Sequence, residues 1–108
     1  MEIKFTDNSK EVSDNIKAAL LRGLETCGLV AEGYAKKLAP VDTGNLRNSI
    51  THDVDEEEPA AYIGTNVEYA PYQELGTIHM KAQPFLKPAV ADHANEYRKL
   101  IEDELKNG

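Results

Sequence analysis

Asp42, Thr43 and Gly44 form the triplet with which aspartic proteases present a catalytic carboxylate, two such carboxylates sharing one proton. A chain of 108 residues could supply one aspartate per subunit of a dimer. The surroundings point elsewhere. Those enzymes are all-β and their triplet follows a hydrophobic strand, whereas here it follows a long helical pattern and Pro40. A three-residue motif out of context carries little weight. The other reading is a capped turn, in which Asp42 accepts hydrogen bonds from N–H groups two or three residues on and Gly44 takes a conformation that other residues avoid. The remaining reactive residues are scattered. His79 lies in an irregular stretch. His93 sits on an apolar helical stripe with no nucleophile placed for it, so it reads as a core-edge histidine with a satisfied nitrogen. Asp55-Glu56-Glu57-Glu58-Pro59 has no complementary ligand spacing and reads as a solvated hairpin tip rather than a metal site. Cys27 stands among apolar residues as a small buried hydrophobe and has no second cysteine to bridge to. No catalytic residue, cofactor site or metal site is expected.

Composition narrows the classes further. Nineteen acidic and twelve basic residues give a net charge of −7, a sign that repels nucleic-acid phosphates. Such a surface can still border a path along which DNA slides without being held. The single cysteine suits a reducing cytoplasm. The chain shows no apolar run of membrane-spanning length and no signal peptide, repeat or low-complexity tract, so a single domain over residues 1–108 is expected, without membrane association.

The elements that would position these residues follow from changes of period. Met1–Asn8 reads as a short strand or an apolar tether, and Ser9 as an N-cap. Val12, Ile16, Ala19, Leu20, Leu24, Cys27, Ala31, Tyr34 and Leu38 recur at spacings of three and four, predicting one helix over 9–38, roughly 40 Å long. Gly23 falls on its apolar face and would allow close backbone approach; Gly28 and Gly33 fall elsewhere and could bend it. Leu21 and Leu29 lie off the stripe, either as ordinary surface leucines or as a second contact face. Pro40 ends the helix. Alternation then predicts strands over 48–54 and 60–65. Pro71 and Gly76 bracket a helical turn expected to put Tyr69, Tyr72 and Leu75 on the core beside Phe85 and Leu86. Residues 77–83 form a loop in which Met80 is suited to adaptable contacts. A last helix runs over 84–106, with Pro84 and Pro88 tolerated in its opening turns. The fold expected is α+β: a long N-terminal and a C-terminal helix packed on a small antiparallel sheet.

Three blocks recur together in one known family: Ala39-Pro40-Val41-Asp42-Thr43-Gly44-Asn45-Leu46-Arg47-Asn48-Ser49-Ile50, Tyr69-Ala70-Pro71-Tyr72-Gln73-Glu74-Leu75-Gly76-Thr77, and Ala82-Gln83-Pro84-Phe85-Leu86-Lys87-Pro88-Ala89. With Ile63-Gly64-Thr65 between them, the chain resembles the gene-ten-like family of tailed bacteriophages over about residues 9–94. Each block alone is weak; their order and spacing behind a long helix are specific. The resemblance implies a minor virion protein of the neck, of head–tail joining or of tail completion. Its partners would be the portal-side connector of the head and the tail proteins, and it would assemble in the host bacterial cytoplasm. It implies no catalysis. Contacts are then the expected function, made as a ring of copies, with the Leu21 and Leu29 side of the first helix and the Met80 loop as candidate surfaces.

Overall fold

The computed structural model describes residues 2–6, 14–39, 45–79 and 81–107. The elements are β1 (Glu2–Thr6), α1 (Asp14–Leu38), α2 (Asn45–Ser49), β2 (Thr51–Asp55), β3 (Ala60–Gly64), α3 (Ala70–Leu75), α4 (Leu86–Ala91) and α5 (Ala94–Asn107). The fold is α+β, as the periodicity predicts. Ser9, Val12, Pro40, Asp42, Thr43, Gly44 and Met80 lie outside the described residues.

The sheet has three strands in the order β1-β3-β2, all antiparallel. The lead-in is therefore a strand, and it makes β3 the central one. Ile63 pairs with Ile3 on one side and His52 on the other, and Ala61 pairs with Phe5 and Val54. The small side chain of Ala61 lets α1 lie close across this face, where Ala19, Ala31 and Ala35 are buried with Leu20, Leu24 and Cys27. α5 runs antiparallel along α1. A Cβ on Gly23 would come within 3.2 Å of the Ile101 Cα, so the close approach expected there is realised. Gly28 and Gly33 do not interrupt α1, which is continuous. Gly33 has open space around it, while Gly28 is buried under β2.

Two boundaries differ from the sequence pattern. The first strand after the corner begins at Thr51 rather than Asn48, because Asn45–Ser49 takes a helical turn. The Ser49 hydroxyl donates to the Leu46 carbonyl at 2.7 Å, which favours that turn over extension. The expected last helix is two, broken at Asp92 and His93. The break lets the His93 ring stack on Tyr34, centroids 3.6 Å apart and 2° from parallel. It also turns Tyr97 inward, where its hydroxyl donates to the Ala89 carbonyl, the acceptor that the His93 N–H would use in an unbroken helix.

Candidate functional site

α3 is a helix turned inside out. Its buried residues are Ala70 and Glu74, one turn apart. Glu74 is only 4 % exposed, yet its carboxylate is fully employed. Oε1 accepts from the N–H groups of Phe85 (3.1 Å) and Leu86 (2.8 Å), and Oε2 from that of Lys87 (3.1 Å). These are N–H groups that the start of α4 cannot satisfy within itself, and a carboxylate is the partner best matched to a helix N-terminus. The expectation that Tyr69, Tyr72 and Leu75 pack on the core is wrong for this reason. Once residue 74 must face α4, the helical spacing of 100° per residue turns them outward. Leu75 is 72 % exposed and Ile78, just beyond, 95 %. Phe85 and Leu86 are fully buried, as expected.

The quoted blocks thus pin the two ends of a loop. Gly76 adopts a positive φ of 77°, a conformation that favours glycine, and its N–H closes α3 on the Tyr72 carbonyl at 2.8 Å. The Gln83 N–H donates to the Gln73 carbonyl at 2.8 Å. Between these ties Thr77, Ile78, His79, Lys81 and Ala82 are exposed, as is Pro84 beyond them. At α2, Ser49 pairs with the Thr65 hydroxyl, which also accepts from the Val67 N–H at 3.1 Å. Leu46 and Ile50 are buried in the same cluster as Ala70 and Phe85.

A second polar assembly joins α1 to β2. His52 lies over Gly28 between Glu25 and Glu32, with Nε2 2.6 Å from Glu25 Oε1 and Nδ1 3.0 Å from Glu32 Oε1. Burial opposes charging the ring, but the hydrogen bonds to Glu25 and Glu32 together outweigh it and raise its pKa. The charged ring donates from both nitrogens. Burial also works to raise the pKa of Glu32, but its bonds to His52 and Lys36 prevail and lower it. A Cβ at residue 28 would lie 2.9 Å from the imidazole Cδ2, so glycine makes room for the clasp. The alternation of β2 marked His52 as one-sided; the signal missed was Glu25 and Glu32, two turns apart on α1 with a glycine between them.

His93 stands at the edge of the core, its ring stacked on Tyr34 and its Nδ1 3.7 Å from Glu96, too far for the hydrogen bond expected of it; the Glu96 carboxylate accepts from the Tyr34 hydroxyl at 2.6 Å. Cys27 is buried, and burial, then the charge of Glu96, pushes its thiol up to about 11, so it is not poised as a nucleophile. Asp55 Oδ1 accepts from the N–H groups of Glu57 (3.0 Å) and Glu58 (3.3 Å), so the acidic tip is a capped turn. Among the described residues no group of three or more His, Cys, Asp or Glu could hold a metal, and no helix is long and apolar enough to cross a membrane. A polar depression of about 370 Å³ is lined by Ser49, Thr51, His52, Asp53, Tyr62 and Thr65; both His52 nitrogens are taken by Glu25 and Glu32, and the Ser49 hydroxyl by the Leu46 carbonyl and Thr65. Leu21 is half-buried against the Leu20, Leu24 and Ala61 cluster, whereas Leu29 is 58 % exposed on the far side of α1.

What the described fold displays is contact surface on a scaffold of internal polar ties. Residues 3–76 match the family described as "Bacteriophage HK97-gp10, putative tail-component". The chain belongs to that family and is a structural protein of bacteriophage. The match takes in the first block and most of the second, and ends before the third. No curated protein and no solved structure matches the chain. The all-β setting in which an Asp-Thr-Gly triplet works in proteases is absent from this α+β fold, which removes the support for that alternative.

Proposed function

We propose that the chain acts as one domain at the neck of a tailed phage, joining head to tail or completing the tail, as a ring of copies that contacts the portal-side connector and tail proteins. The observation that carries this reading is the inverted α3. A short helix that spends its buried side on a carboxylate and faces Tyr72 and Leu75 outward, followed by the exposed Ile78, has its apolar surface arranged for another protein. Leu29, exposed on the solvent side of α1 beside the open Gly33, is a second contact on this reading, and Met80 falls within the same loop as Ile78. On this reading Pro40, Asp42, Thr43 and Gly44, and likewise Pro84 and Pro88, serve structure rather than catalysis.

The protein is accordingly a virion constituent, with assembly in the host cytoplasm, and DNA passes it without being bound. Electron microscopy of lysates from a phage lacking this chain tests the reading. Filled heads and separate tails are expected; infectious, fully joined particles would overturn it.

A further inference from the structure

The core holds β2 loosely. None of its residues is fully buried, whereas Ala60, Ala61 and Ile63 of β3 are. It stands at the edge of the sheet and pairs there with β3. Alternation sends Thr51, Asp53 and Asp55 to the outer face and leaves His52 and Val54 toward α1. Val54 packs on the cluster of Leu20, Leu24 and Ala61. His52 is the other half of the strand's attachment to the helix, and it is polar.

That half of the attachment takes a proton. Both ring nitrogens lie against carboxylate oxygens, Nε2 2.6 Å from Glu25 and Nδ1 3.0 Å from Glu32. An ionised carboxylate only accepts, and only the imidazolium carries two N–H donors. A neutral ring would turn a bare lone pair on one of the two oxygens. The charged groups facing the ring are Glu25 and Glu32 of α1, with Lys36 3.4 Å from Glu32. β3 sets Ile63 opposite His52 and Ala61 on the diagonal, neither of which titrates, and Asp53 belongs to the other face of β2. We infer that His52 is a proton-operated latch: charged, it ties β2 to α1, and neutral, it lets this edge strand part from the helix and from β3. Burial opposes the charge, but the two bonds prevail and raise the ring's pKa. The latch is therefore closed below the ordinary histidine value of ~6.5 and opens as pH rises through the higher folded value. The lowered pKa of Glu32 keeps that acceptor ionised across this range. Parting bares the edge of β3, a row of N–H and C=O groups on which another strand can pair.

Nuclear magnetic resonance of the full chain from about pH 6 to 9 tests the latch. The ring nitrogens of His52 should titrate above the ordinary histidine value, both of them protonated below the transition. Amide exchange, corrected for the intrinsic effect of pH, then reads the release. For each unit by which the ring titrates above ~6.5, the protection of the β2 amides bonded to β3 should fall about tenfold on going to high pH. At pH 9 those amides should be less protected than the amides joining β1 to β3, because the opening is local. Glu25→Gln with Glu32→Gln, at two positions outside the core, should return the ring to its ordinary titration and remove the pH dependence of β2 protection. A ring that titrates at or below the ordinary value would overturn the latch. So would β2 amides at pH 9 as protected as those between β1 and β3, or a pH dependence that survives in the double variant.

Discussion

Glu74→Ala withdraws the carboxylate that Phe85, Leu86 and Lys87 share. Loss of an ordinary N-cap side chain costs about 1 kcal/mol, and up to about 2. Here three donors lose their acceptor, and Phe85 and Leu86 are fully buried. A buried donor left unsatisfied costs about 1–3 kcal/mol, but water entering the space left by the side chain recovers part of it. The expected loss is about 3 kcal/mol, which for a chain of this size lowers the midpoint of thermal unfolding by roughly 12–20 °C. Glu74→Gln keeps one acceptor oxygen but turns an amide donor toward an N–H, and should fall about midway. Leu75→Ala, next in sequence but exposed, should stay within about 0.5 kcal/mol of wild type. Circular dichroism melts and urea titration give the energies, and hydrogen exchange of the 85–87 amides locates the effect. A Glu74→Ala protein as stable as Leu75→Ala, with those amides equally protected, would refute the role given to this carboxylate.

Gly33→Ala fills open space in a helix and should stabilise by about 0.5–1 kcal/mol, whereas Gly28→Ala, pressing on His52, should destabilise despite the same gain in helix propensity; urea midpoints separate the two. His52→Asn should cost more at pH 6 than at pH 9: the folded pKa of His52 is raised, so its stabilisation is complete below the unfolded value of ~6.5 and fades as pH rises through the folded value. The lowered pKa of Glu32 has the opposite sign, so its share is present above ~4.3 and lost as pH falls through the folded value; denaturation of wild type and variant across pH checks both. Phe85→Ala should cost about 3–5 kcal/mol in chemical denaturation, from the cavity left at a fully buried site.

Much of the fold was legible because it repeats. The stripe from Ile16 to Leu38 required a helix, and the alternation around His52 and Ile63 required strands. The corner near Ser49 was not legible in detail, since its helical turn depends on a side-chain bond to Leu46 that no period announces. The break at His93 accompanies a ring stack on Tyr34, a partner distant in sequence. The largest misreading concerned α3. Apolar residues at three-residue spacing normally face a core, but the N-terminus of α4 lies there and demands an acceptor, so Glu74 takes the buried side and the tyrosines face solvent. That reversal is visible only when residues 74 and 85–87 are brought together. It also moved the exposed apolar surface from Leu21, half-covered by its own core, to Leu75 and Ile78.

The central claim is that the outward face of α3 and its loop is what the protein works with. Complementation of a phage lacking the chain by Leu75→Glu with Ile78→Glu tests it most directly, because both residues are exposed and the variant should melt like wild type. A folded variant that yields unjoined heads and tails, with infectious titre reduced by orders of magnitude, is the predicted result. Wild-type titre from the folded double variant would contradict it.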